Sequence, residues 1–437
     1  MTSNQKWSDV LVISPGLESD HNVGWHRILH WVYSTFWINK DQLLCFSVIA
    51  LFILFNIIGT RLSPNKAAWT IILILMFFFD RSIILRTMLG RPFIFSNIVT
   101  LILLKLWFID SKEELSRLII YSISIILLSL AVWIHGTWYT FLLLPMALLL
   151  TSQIKKTFEL TSCILLSTVI GAFMTGEFNE FLHFHYSATL NIFSEKIYNW
   201  QLVTEFAEGN IHIFWVFPSI FIITLLVYSK KLKLNDLSKD PLFILILLTW
   251  LLSIRVVRFW VDWGIVALMY WSSIKLSELI SDMKSVKKPF LKKVLFVIVM
   301  VSAIIIIPSH KWNNKKERGN YFVDFSRKEF SDFKPSDNGI IYNDSMRHFY
   351  YQYFADPKAK YKYILGFEPA IMPDDDKKTF REITYSDFHF KAYEPWINKL
   401  TEKDRIFTSV DISSNYPELD WIKVNKNLYI GKRKDFK

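Results

Sequence analysis

The run Ser253 to Trp271, SIRVVRFWVDWGIVALMYW, places Arg255, Arg258 and Asp262 at the mouth of an otherwise apolar stretch. Charged groups in a lipid environment are costly unless they pair or face a water-filled cavity, so such residues mark a site by default. Arg258 and Asp262 are four apart and share a face if the segment is helical, which leaves Arg255 to reach an anion. Guanidinium groups at a membrane edge suit a phosphate, and a carboxylate or histidine nearby suits proton transfer.

Three further clusters are candidates for the same chemistry. Glu18, Asp20, His21, His26 and His30 precede the first apolar run. A carboxylate held there, just above a bilayer, suits a general base for a hydroxyl, while an exposed loop leading into an interfacial helix is the plainer alternative. The segment DRSIILRTMLGRPF holds Asp80, Arg81, Arg86 and Arg91. Asp80 with Arg81 reads as internal pairing, and Arg91, between Gly90 and Pro92, reads as a loop residue that meets a lipid phosphate or snorkels. The third cluster is the acidic loop from Gly176 to Gly209, where Glu177 and Glu205 flank the aromatic stretch FLHFHYSATLNIF. His183 and His185 point apart on a helix and share a face only on a strand, so zinc is weakly supported. A divalent metal held by Glu177 or Glu205 with Asp20 stands against a solvated acidic loop.

The elements that must position these groups are membrane helices. The chain has 437 residues, 52% of them hydrophobic and 16% aromatic, with 37 phenylalanines and a positive mean hydropathy. Apolar runs recur at Asp41 to Ile58, Ala67 to Met88, Phe95 to Ile109, Leu115 to Ile134, Trp138 to Leu150, Leu160 to Thr175, Ile211 to Tyr228, Pro241 to Ile254, Phe259 to Ile274 and Val294 to Ile307. The expected fold is mostly α, a polytopic transmembrane helical bundle of about ten spans. Several runs are shorter than the ~20 residues that a crossing helix needs.

Short cytoplasmic loops carry the excess of lysine and arginine, and here the basic loops are Arg61 to Lys66, Lys112 to Arg117, Lys155 with Lys156, Lys230 to Lys239 and Lys284 to Lys293. An even number of apolar runs separates each consecutive pair. This parity puts residues 1–41, the acidic loop and everything after Pro308 on the outer side, together with the arginines. Residues 1–40 contain no signal-peptide pattern, so either this tail is translocated unaided or an upstream span is absent from the chain. The division is an extracytoplasmic segment with an interfacial helix (1–41), a transmembrane helical domain (42–308) and a soluble extracytoplasmic α/β domain (309–437).

Within the last domain, Gly339 to Tyr342, Tyr361 to Leu365 and Arg405 to Val410 read as strands and Met346 to Phe354 as a helix. Trp421 to Val424 and Leu428 to Ile430 read as a hairpin around Asn425-Lys426-Asn427. The only cysteines, Cys45 and Cys163, sit in apolar runs and do not form a disulfide framework. The formal charge of +11 lies largely in the basic loops, where topology and anionic lipid account for it. No basic stripe with interleaved aromatics accompanies a reader fold, so nucleic acid is not an expected partner.

Several short motifs follow one another in a definite order. They are the first-loop acids Glu18 and Asp20, GRPF at Gly90 to Phe93, His135-Gly136-x-Trp138, LVTEF at Leu202 to Phe206, RFWVDWG at Arg258 to Gly264, and YILGFEP at Tyr363 to Pro369. In that order they resemble the polytopic lipid-linked glycosyltransferases of the GT-C type, in particular a bacterial branch of them, over most of the chain. The resemblance implies inverting transfer of a sugar from a polyprenyl-phosphate carrier to a glycan or lipid acceptor of the envelope, on the outer face of the bacterial inner membrane. Asp20 then matches the base that activates the acceptor hydroxyl, with Glu18 beside it. Arg255, Arg258 and Arg91 are expected to stabilise the lipid phosphate, whose charge grows in the transition state. His21, His135, Glu177, Glu205, Asp262 and Glu368 are the other expected cavity residues.

The chain departs from the family pattern in three places. The usual first transmembrane helix is absent. The Trp-Trp-Asp-Tyr-Gly signature of oligosaccharyltransferases is missing, which disfavours transfer to asparagine. Gly366-Phe367-Glu368-Pro369 stands where related sequences carry Gly-Leu-Asp-Pro, with the longer acid either facing the cavity or capping the next turn. Two other classes compete. A non-catalytic subunit that binds lipid or glycan and a protein partner through the C-terminal domain predicts that the arginines and Asp262 pair among themselves. A polysaccharide polymerase or transporter predicts a polar path across the bilayer, and Lys105 is the main charge deep in a run.

Overall fold

The computed structural model describes residues 7–17, 20, 22–79, 90–109, 116–193, 234–282, 321–367 and 369–434. The chain divides into two units. One comprises residues 21–181 and 205–308, and the other residues 1–20, 182–204 and 309–437.

The first unit is helical. Its elements are α1 (Val23–Phe36), α2 (Lys40–Leu62), α3 (Lys66–Phe79), α4 (Phe93–Phe108), α5 (Arg117–His135), α6 (Leu143–Leu150) and α7 (Ile154–Thr175). The division between units falls inside α8 (Phe178–Phe193), after Phe181, and α9 (Pro241–Ser253) and α10 (Ile265–Asp282) return to the helical unit. Helix starts follow their local chemistry. Asn39 and Gln42 form a capping box on α2, Ser116 caps α5, and Asp240 caps α9 ahead of Pro241 at the first helical position. The Asp240 carboxylate also accepts from Trp271 Nε1 at 2.9 Å, fastening the start of α9 to α10. Gly136 ends α5 in the left-handed region, at φ 69°, where a side chain would be strained.

Three helical stretches, Asp41–Leu62, Arg117–His135 and Ile154–Thr175, are long and apolar enough to cross a membrane, with 22, 19 and 22 residues. At ~1.5 Å per residue they cover the ~30 Å hydrocarbon layer. Lys66–Met76, Phe93–Phe108, Trp138–Leu150 and Pro241–Ser253 are apolar but shorter. The expected ten spans are therefore not met among the described residues, because several of the runs form helices shorter than a crossing needs, bounded by Pro92, Gly136 and the turn after Ser253. The runs Ile211 to Tyr228 and Val294 to Ile307 lie outside the described residues.

Much of α2 and α7 turns apolar side chains outward. Leu44, Ile49 and Ile53 on α2, and Leu165, Val169 and Phe173 on α7, are all exposed. Such stripes are unfavourable in water and suited to lipid. Against α5, α7 packs through small residues. A Cβ added at Gly171 would stand 2.6 Å from Val132 Cβ, and Ser167 Oγ donates to Ile125 O at 3.1 Å.

The second unit carries a five-stranded sheet of order β2-β1-β3-β5-β4, with β1 (Ile340–Asn343), β2 (Lys362–Tyr363), β3 (Arg405–Thr408), β4 (Leu419–Asn425) and β5 (Leu428–Arg433). β2, β1 and β3 run parallel, while β5 pairs antiparallel with both β3 and β4. Side chains alternate between faces as a pleated strand requires. Tyr342 and Ile406 meet α12 (Asp374–Tyr385) and α13 (Glu394–Lys399) through Ile383 and Trp396. Ile341 and Phe407 meet Phe349 of α11 (Met346–Ala355) on the opposite face. Helices thus cover both faces of the sheet, as the small α/β domain expected after Pro308 requires. Residues 10–12 extend this sheet, because Leu11 bridges in parallel to Tyr363 on the outer side of β2.

Candidate functional site

In the helical unit, α9 ends at Ser253, and after a turn over Ile254 to Val257 the chain enters a π-helical turn, Phe259–Gly264, that leads into α10. The Ile265 amide reaches back five residues to Trp260 O. This wide turn brings Trp260, Asp262 and Trp263 all into the interior. Turns of this kind recur at functional sites. The Trp260 ring lies over Gly264, where a Cβ would stand 2.5 Å from Trp260 Cε3 and 2.7 Å from Thr249 Oγ1. Glycine is the residue that allows both approaches.

Arg258 opens this turn. Its Nε donates to Asp262 Oδ2 at 2.8 Å, making the ion pair that the four-residue spacing allows. Its Nη2 lies 3.0 Å from His135 Nε2. A guanidinium carries no acceptor, so His135 Nε2 accepts and the ring proton sits on Nδ1. That nitrogen is 2.9 Å from both Ser96 Oγ and Thr137 Oγ1. With its amide nitrogen turned toward the carbonyls, Asn97 donates to Asp262 O at 2.6 Å and to Phe93 O at 3.3 Å. Four chain segments therefore meet at one polar knot: the first turns of α4, the last residue of α5, the break after it, and the π-turn. Asp262 is 2% exposed, whereas the Arg258 side chain retains 17%.

The remaining expected residues are distributed as follows. Arg91, at the start of α4, and Arg255, in the turn after α9, are exposed. Glu177 is half-buried beyond the end of α7, and its amide donates to Thr175 Oγ1 at 3.2 Å. Asp20 belongs to the α/β unit and is half-buried. Glu18, His21, Glu205 and Glu368 lie outside the described residues, as do Asp80, Arg81 and Arg86. His183 and His185 lie on α8, so the helical case holds and the two rings point apart, with His185 buried and His183 exposed. Among the described residues, no three His, Cys, Asp or Glu side chains come together as metal ligands.

Sequence reasoning missed Ser96, Asn97, Thr137 and Arg27. The last donates to the carbonyls of Met174 and Thr175 at 3.3 and 3.0 Å, closing the end of α7. The adjacent polar pair Ser96-Asn97, set in an apolar run just after GRPF, was the available signal for two of them.

A second polar cluster was also missed, in the α/β unit at the C-terminal ends of β1 and β3. The Asp344 carboxylate accepts from Tyr393 Oη (2.8 Å), Ser409 N (2.7 Å) and Ser409 Oγ (2.7 Å). His348 Nδ1 lies 3.6 Å from Asp344 Oδ1. Burial pushes the Tyr393 hydroxyl far above its ordinary range, and the Asp344 charge adds to this. Burial holds His348 below its ordinary value, with Asp344 opposing. The cluster occupies the point between β1 and β3 where strand order reverses, a common place for a ligand crevice, and Asp344, His348 and Tyr393 are all buried there.

Compared with known proteins, the chain matches no family model and no curated protein sequence.

Proposed function

We propose that the chain is an integral membrane glycosyltransferase that moves a sugar from a polyprenyl-phosphate carrier to a glycan or lipid acceptor on the outer face of a bacterial inner membrane. In this reading the shorter apolar helices and the runs outside the described residues complete about ten crossings, and the α/β domain lies outside the cytoplasm. The observation that carries it is Arg258, a guanidinium oriented by Asp262 and His135 inside an apolar helical unit. Cations are retained in such surroundings to handle charge.

Asp20 removes the proton from the acceptor hydroxyl as its oxygen bonds to the anomeric carbon. The bond from that carbon to the phosphate oxygen breaks, and its electron pair leaves on the polyprenyl phosphate. Arg258, with Arg255 and Arg91, meets the growing negative charge, and His135 and Asp262 fix the guanidinium plane. Glu18, Glu177, Glu205 and Glu368 stay candidate acids in this reading, and adding and removing magnesium and manganese tests for a divalent metal.

The test uses the full chain in proteoliposomes with radiolabelled undecaprenyl-phosphate-linked hexoses and pentoses. Transfer is expected with one donor class, and Asp20→Asn is expected to lower its rate by ~10²–10⁴-fold while the protein stays folded. Unaltered activity in that variant removes Asp20 from the mechanism. The closed Arg258–Asp262 pair favours a second reading, a non-catalytic subunit that binds lipid or glycan. Saturable binding of undecaprenyl phosphate without transfer from any donor would select it.

A further inference from the structure

The N-terminal segment is built into the α/β unit. Val12 N donates to Tyr363 O and Tyr363 N to Val10 O, both at 2.9 Å, so the segment pairs with β2 as an added parallel edge. Farther along, Ser14 N donates to Ile371 O at 2.9 Å and Ser14 Oγ to Met372 O at 2.7 Å. Side chains fix it as well. Val10 and Leu11 are buried with Phe349 and Tyr363, and the Trp7 ring stands edge-on to Phe367 with centroids 4.0 Å apart. Gly366 permits this, because a Cβ there would collide with Leu11 Cδ2. After this strap the chain turns at Gly16, with φ 83°, and the Gly16 carbonyl accepts from His183 Nδ1 of α8 at 3.3 Å. Asp20 follows four residues later.

We infer that the α/β domain is the positioning element of the first outer loop: it grips residues 7–14, with residues 10–12 paired to β2, and, through His183, holds the turn that sets Asp20. Leu11, Gly366 and His183 are positioning residues. The inference rests on the reading of Asp20 as the base. Orienting a base lowers the barrier only when the base is held at its place, so the loop needs a rigid support.

The experiment compares full-length chains in proteoliposomes, with hydrogen exchange reading the strap and the donor that supports transfer reading function. Gly366→Val, and separately Leu11→Asp, are expected to deprotect the amides of residues 10–14 while residues 405–433 stay protected. The same variants are expected to lower kcat at least tenfold with KM for the donor unchanged. Leu11→Ala placed in the Gly366→Val chain is expected to restore both in part. His183→Ala is expected to lower kcat without freeing the strap, and His183→Asn, which keeps a donor near the Nδ1 position, is expected to recover it. A freed strap with undiminished kcat, in a protein that Asp20→Asn inactivates, overturns this inference alone. Strap amides that stay protected in both Gly366→Val and Leu11→Asp overturn the assignment of those residues. Wild-type kcat in Asp20→Asn overturns the base assignment, and this inference falls with it.

Discussion

Arg258 is oriented from two directions, and its two partners make different demands. Asp262 neutralises it at 2.8 Å from within the same turn, while His135 accepts from it across 123 positions of sequence. Removing one member of a buried ion pair leaves the other charged and unpaired, at a cost of ~3–5 kcal/mol. Asp262→Ala is therefore expected to lower the thermal midpoint of the detergent-solubilised chain sharply, by more than Arg255→Ala, whose side chain is exposed. Equal midpoints for the two variants would show that the pair contributes nothing to the fold. In the α/β unit, His348 makes a prediction of the opposite kind. Burial holds it below its ordinary value of 6.5, with the Asp344 charge a smaller opposing effect. The folded state then binds fewer protons than the unfolded state, so stability is fully present above pH ~6.5 and is lost as pH falls through the lowered value. Unfolding followed at pH 7.5 and at pH 5.5 is expected to show a drop that His348→Gln reduces, and an unchanged drop would assign the acid sensitivity to other groups.

At the scale of elements, the π-turn decides which side chains enter the polar knot. A regular helix over Phe259–Gly264 would rotate one of Trp260, Asp262 and Trp263 out of the interior. Gly264→Ala forces the new methyl against the Trp260 ring and Thr249, an overpacking of the kind that costs ~1–3 kcal/mol. The variant is expected to lose stability, and Thr249→Ser, which keeps the hydroxyl but removes a methyl, is not expected to rescue it, since Thr249 Oγ1 is the contacting atom. Full stability in Gly264→Ala would mean that the turn relaxes freely. The Arg258–Asp262 pair was legible from sequence because spacing within one turn fixes it. The β4–β5 hairpin was legible because strand-type residues flank an Asn-rich turn. By contrast, the meeting of Ser96, His135 and Arg258 depends on how three segments pack, which no local pattern encodes. The π-turn was hidden because apolar periodicity does not separate it from α-helix, and the strap because three extended residues carry no alternation long enough to read.

For the molecule as a whole, both ends of the chain belong to one folded unit. Residues 10–14 hydrogen-bond to residues 363, 371 and 372, and a chain cannot make backbone bonds through a bilayer. Any membrane crossed by the helices between Leu17 and Tyr321 must therefore be crossed an even number of times. If all three long helices cross, they alone would leave residues 10–14 and 363–372 on opposite sides, and a further crossing is then required to complete the even number. The basic loops in the sequence follow the same even parity, and the proposed function takes the ends as outside the cytoplasm. The check is topological. Cysteines introduced by Ser8→Cys and by Ser414→Cys, in a chain carrying Cys45→Ser and Cys163→Ser, are expected to react with an impermeant maleimide from the same face of intact cells. A cysteine introduced by Lys155→Cys, in the first turn of the long helix α7, is expected to react only after the membrane is opened. Labelling of the first two positions from opposite faces would mean that the strap is not formed in the membrane, and the positioning of Asp20 by the α/β domain would lose its basis.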